Sequence, residues 1–311
     1  MSYEKSMLEK YKMPQKVEVE NAILISLFNH EGIIKEFSTG DKIVEEIANK
    51  FNLNEEQRYV FLERIYRKEN RIVKSPLWTR LLYRAADSLT KDKLITNPKT
   101  TFKLTNKKEW MLTEEGYNKV LKLLKIPISE KENFVTKTYE VQKIIKSIQD
   151  KPRPSSYQPI EDNSNRIVAT REYKVRKRGF RLAVLEAYDY KCAFCGLKIF
   201  SLKNKNINWE VQAAHIVPHR EKGKDDLLNG LSLCRLHHWA FDEGWLSIYD
   251  NYMIDVSKRI EKLPVQYGRL NEFDFIRYFL NDKKRIILPL NKNYYPHYNS
   301  IMWHRKNIFL S

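Results

Sequence analysis

All three cysteines of this 311-residue chain fall in one region: Cys192 and Cys195 form a C-x-x-C pair, and Cys234 opens a C-x-x-H pair with His237. Three thiolates and one imidazole make a tetrahedral zinc donor set, and two closely spaced pairs reach it without strain once the fold brings them together. A lone C-x-x-C would be open to a redox reading, but the second pair leaves no cysteine over. Buried free thiols are the remaining alternative. An odd cysteine count argues against a disulfide framework.

Between and beside these pairs stand AAHIVP, NGLSLC and HHWAFD. In this order, with the zinc pairs around them, residues 192–242 resemble the HNH (ββα-metal) nucleases of the type found in restriction endonucleases. The resemblance places its three named positions on His215, Asn229 and His238, and extends loosely from GFRLAVLEAYDYKC to MWHRKNIF. It implies that His215 activates water, that Asn229 orients that histidine or its loop, and that His238 binds a catalytic divalent metal. His237 then takes a zinc position where relatives often carry cysteine. Phosphodiester hydrolysis needs these types: a base of near-neutral pKa, and a divalent ion to neutralise charge on the phosphate and leaving oxygen. Mg²⁺ is the expected ion, beside a structural Zn²⁺. In the alternative, His215 and His238 are satisfied polar residues of a zinc-braced fold.

The sequence departs from many HNH enzymes at Ala214, where an acidic ligand often precedes the first histidine. Asp242 is the preferred second ligand with His238: if HHWAFD is helical, residues four apart share one face. Gln212 and Glu243 are weaker candidates. His219 and Arg220 contact phosphate or are merely exposed.

Something must position these residues on a polyanion. The chain carries 56 Lys+Arg against 39 Asp+Glu, a formal +17, which suits the collection of phosphates. The excess is uneven: residues 1–70 sum to −2, residues 71–110 to +7, and residues 131–311 to +12. In the first zone, AILISLFNH reads as a buried helix, and STGDKIVEEIANKF as a second capped by Ser38 or Thr39. A third opens at Ser75 as N-cap with Pro76 behind it, and carries an apolar stripe from Trp78 to Leu89. Its free face presents Thr79, Arg80, Tyr83 and Arg84. LITNPK and EWMLT then flank the Lys-rich TTFKLTNKK as a two-stranded wing with Lys99, Lys103, Lys107 and Lys108, and a helix capped by Thr113 closes the unit. This is a winged helix-turn-helix reading, similar to the N-terminal domain of Mrr-type restriction proteins. The helix would enter the major groove while the wing meets phosphates; protein contact or dimerisation is the competing use.

Residues 126–165 read as a linker with a possible helix in YEVQKIIKSIQ and an extended KPRPSSYQP. A basic cluster follows, with Arg176 and Arg178 as phosphate-contact candidates, or as part of a solvated helix end. Beyond the motif, WLSIYD and YMIDVS form a hairpin. The expected class is therefore α+β: a winged helix at 1–125 and a zinc-braced ββα-metal nuclease at 166–311. The expected protein is a restriction-type endonuclease acting on double-stranded DNA as a homodimer. It is expected to be cytoplasmic, since residues 1–16 lack a signal-peptide core and no stretch suits a membrane. A non-catalytic zinc-containing DNA-binding regulator and a nicking or homing nuclease are the rival readings.

Overall fold

The computed structural model describes residues 3–33, 41–66, 71–161, 170–203, 206–259, 269–270, 273–274 and 285–311. The expected caps Ser38 and Thr39 lie outside them. Two compact units emerge, one built on Met1–Gln142 and the other on Lys143–Lys203 with Ile207–Ser311. Among the described residues, no helix is long and apolar enough to cross a membrane.

The first unit comprises α1 (Tyr3–Lys10), α2 (Lys16–Asn29), α3 (Asp41–Lys50), α4 (Glu55–Tyr59), β1 (Phe61–Tyr66), β2 (Arg71–Pro76), α5 (Leu77–Lys91), α6 (Pro98–Thr105) and α7 (Glu114–Leu123). Its core joins the apolar stripes of three helices: Ile23, Leu24, Leu27 and Phe28 of α2, Trp78, Leu81, Leu82, Ala85, Ala86 and Leu89 of α5, and Tyr117, Val120 and Leu121 of α7. Single antiparallel bridges, Ile33 to Met111 and Ile95 to Leu112, tie the connecting segments together.

Two local expectations change. Ser75 is not a helix cap, because it pairs with Leu62 in the β1–β2 hairpin, and α5 starts at Leu77 after Pro76, with no side-chain cap. The Lys-rich stretch is not a strand loop but α6, since Asn97 caps Lys99 N–H, Pro98 takes the first turn and Asn106 ends the helix in the left-handed conformation. Lys99 and Lys103 therefore sit on a helix, with Lys107 and Lys108 just beyond it. All four are exposed. The helix capped by Thr113 forms as expected, with Thr113 accepting from Gly116 N–H.

The second unit opens with most of α8 (Tyr139–Gln149), which buries Ile145 and Ile148. The KPRPSSYQP segment is stitched down rather than free: Arg153 donates to the Tyr295 carbonyl, Asn299 donates to the Tyr157 carbonyl, and Ile160 bridges Gly223. These partners lie far along the chain, which is why the composition read as a linker. Next come α9 (Thr170–Ala187), the hairpin β3 (Phe200–Lys203) with β4 (Asn206–Trp209), the antiparallel pair β5 (Gln212–His215) with β6 (Gly230–Leu233), and α10 (Arg235–Asp242). The expected hairpin is β7 (Leu246–Ile248) with β8 (Ile254–Val256), and α11 (Tyr298–Asn307) closes the unit. Most of FDFIRYFL lies outside the described residues.

His304 on α11 pins this end of the unit. Its ring stacks on Phe241 at 3.7 Å, its Nε2 bonds the Phe241 carbonyl at 3.0 Å, and its Nδ1 bonds Ser247 Oγ at 3.0 Å. Burial pushes the His304 pKa down to about 4. The unfolded chain then binds the proton that the folded chain refuses, so stability falls as the pH drops from about 6.5 towards 4. Urea denaturation across that window should show His304→Gln to be weaker than wild type at neutral pH but less sensitive to acid. Parallel pH dependence in both proteins would mean that His304 titrates normally.

Candidate active site and metal centre

The donor atoms of Cys192, Cys195, Cys234 and His237 lie within 4.8 Å of one another. The first pair sits on a tight turn in which Gly196 N–H donates to the Cys192 carbonyl, and Gly196 has a φ of +76°, where a side chain would be strained. Cys234 precedes α10 and His237 lies in its first turn, so its Nδ1 approaches Cys234 Sγ at 3.0 Å and Cys192 Sγ at 3.5 Å. Hydrogen bonds from Cys195 and Cys234 hold the Cys192 thiol well below its ordinary range. The set fits a structural zinc ion, which would cross-link the turn at Cys192 to α10.

His215 ends β5, opposite Gly230 of β6. Its ring stacks on Phe180 of α9 at 4.1 Å, and its Nε2 meets Asp225 Oδ1 at 2.9 Å. Asp225 is a partner that the sequence reading missed, because no local spacing links it to His215 ten residues before it. Asn229 bonds not to the histidine but to its loop. Fully buried, it accepts from Val217 N–H at 2.8 Å and donates to the Val217 and Lys224 carbonyls at 3.1 and 3.0 Å. The loop is tight enough that a Cβ on Gly223 would fall 1.8 Å from the Val217 carbonyl oxygen.

HHWAFD is helical, and His238 Nε2 lies 3.4 Å from Asp242 Oδ2 while its Nδ1 meets Gln212 Oε1 at 2.9 Å. Burial lowers the His238 pKa and raises that of Asp242. An imidazole nitrogen and a carboxylate oxygen side by side fit a divalent cation. His215 and Arg220 both act electrostatically on Asp242, so strand, loop and helix converge there.

Other candidates are placed differently. Arg176 Nε pairs with Asp225 Oδ2 at 2.9 Å, and its terminal nitrogen bonds Glu161. Arg178 is 2% exposed, too buried in this fold to meet a phosphate. Arg80 and Arg84, with Thr79 beside them on α5, both pair with Glu4 of α1, at 3.0 and 2.5 Å.

Two antiparallel strands and a helix present one histidine from the strand end and another from the helix beside a Cys₃His cluster, a ββα arrangement. Residues 192–249 match the family model described as HNH endonuclease, so the chain carries an HNH endonuclease domain there. A similar solved structure is that of a modification-dependent TagI restriction endonuclease, 21% identical, covering 47% of this chain and 40% of that one with a TM-score of 0.29. The chain thus spans less than half of that structure. No curated protein matches it.

Elemental analysis should find one tightly bound zinc per chain, and Cys234→Ala should lose it and lower the melting temperature. Absence of bound metal in the wild type would remove the zinc assignment. Asn229→Ala should cost about 1–3 kcal/mol in denaturant unfolding, because Val217 N–H and two carbonyls lose their buried partner. A neutral effect would show that water replaces the amide.

Proposed function

We propose that the protein is a restriction-type DNA endonuclease, in which His215 is the general base for phosphodiester hydrolysis and His238 with Asp242 holds a divalent ion, Mg²⁺ in the cell. The observation that carries this reading is the HNH family match over 192–249, together with His215 on the strand end and the His238–Asp242 pair on α10. When bound, the ion would neutralise charge on the phosphate and the departing oxygen. His215 accepts the proton of the attacking water, while Asn229 holds the loop that follows it. Gln212 orients the His238 ring through Nδ1 and leaves Nε2 for the ion.

The first unit is proposed to find the DNA as a winged-helix variant, with Thr79, Arg80 and Arg84 on the reading face of α5 and Lys99, Lys103, Lys107 and Lys108 along the adjoining basic edge. Support comes from the helix order, the short bridges that stand where wing strands begin, and the exposure of the lysines. A single nuclease centre cuts one strand, so a homodimer on DNA is the proposed form for double-strand cleavage, in the cytoplasm.

Digestion of methylated and unmethylated plasmids with Mg²⁺ tests the catalytic reading. Wild type should cleave at least one of them, and His215→Ala should lower the rate by about 10²–10⁴. Equal cleavage by both proteins would dismiss His215 as base; cleavage of neither plasmid by wild type would favour the DNA-binding regulator. For the first unit, Glu4→Gln releases two arginines, so DNA affinity measured by fluorescence anisotropy at low salt should rise and its salt dependence steepen. Unchanged binding would take the α5 face out of the interface.

A further inference from the structure

We infer that Asp225 and Arg176 form a positioning relay that holds His215 with its proton on Nε2 and its lone pair on Nδ1, the form able to take a proton from water. The inference rests on the proposed role of His215 but is tested separately from it. An ionised carboxylate only accepts, so His215 Nε2, 2.9 Å from Asp225 Oδ1, must be the donor. Among the described residues, no hydrogen bond reaches Nδ1. Phe180 stacks on the ring within 20° of parallel and opposes its rotation.

The second Asp225 oxygen is fixed in turn by Arg176 Nε at 2.9 Å, with the Asp225 side chain 9% exposed, and Glu161 holds the far end of the guanidinium. Burial pushes the Asp225 carboxyl up, but the bond from His215 and the charges of His215, Arg176 and His219 outweigh it and keep the group below its ordinary range. The titratable groups around His215 are Asp225, His219, whose ring lies 6.1 Å away, His238 and Asp242. Of these, only Asp225 bonds the ring.

The relay makes a specific prediction about Asp225→Asn. Arg176 can only donate, so it turns the amide oxygen towards itself and the amide NH₂ towards His215. Nε2 must then accept, and the proton moves to Nδ1. The rate constant kcat should fall by up to the loss expected for His215→Ala, about 10²–10⁴, since a base in the wrong tautomer cannot take the proton, with KM for DNA and zinc content unchanged. Adding Arg176→Ala frees the amide to turn over, so the double variant should regain activity on the order of tenfold over D225N. A merely structural role for either residue predicts a deeper loss instead.

Side-chain ¹⁵N NMR on the full-length protein reads the tautomer without reference to activity: Nε2–H in wild type and in D225E, which keeps an acceptor-only carboxylate, and Nδ1–H in D225N. The same tautomer in wild type and D225N, an Nδ1–H form in D225E, or wild-type cleavage by D225N would each overturn the relay. Full activity of His215→Ala would instead defeat the base assignment and leave the NMR result standing.

Discussion

A buried amide has no water to fall back on, and the candidate site depends on how one such amide is satisfied. Asn229 closes three hydrogen bonds to the Val217 and Lys224 backbone at zero exposure, which folds the segment after β5 back onto the start of β6. His215 sits just before that loop and Asp225 just after Lys224 within it. The separation of the histidine from its carboxylate is thus set by a backbone clamp rather than by their own contact. Long side chains on an unclamped loop would spend conformational entropy to meet in the same way.

The adjacent pair His237–His238 has a similar logic on α10. Successive residues of a helix point about 100° apart, so one imidazole can face the sulfur cluster while the next faces Gln212 and Asp242. The helix therefore ties a structural donor set to a chemical one, and a shift that disturbed the first would move the second. Phe194 stacked on His237 at 5.4 Å and Phe241 stacked on His304 fill the space beneath.

The charge of +17 is put to more than one use. Part of it serves inside the fold: Arg176 is engaged by two carboxylates, Arg178 is buried, and Arg80 and Arg84 are held by Glu4. The lysines at 99, 103, 107 and 108 stay exposed, and they are part of the charge proposed to meet phosphates. Arginine, with its planar fork and several donors, suits internal networks better than lysine does, which is why a count of basic residues mixed the two uses.

The sequence by itself determined what depends on short spacings. The C-x-x-C and C-x-x-H pairs, the His238–Asp242 face, the α5 stripe, the Thr113 cap and the β7–β8 hairpin each follow from helical or turn geometry acting over a few residues, and each stands in the structure. Tertiary structure decided the partners that no local period encodes: Asp225 for His215, Arg176 for Asp225, and Tyr295 and Gly223 for the proline-rich segment. It also settled two local competitions, placing Ser75 in a strand because Leu62 was there to pair with it, and making the Lys-rich stretch a helix because Asn97, Pro98 and Asn106 supplied both ends. Capping and pairing compete at similar energies over such short stretches, and only the surrounding packing chooses between them.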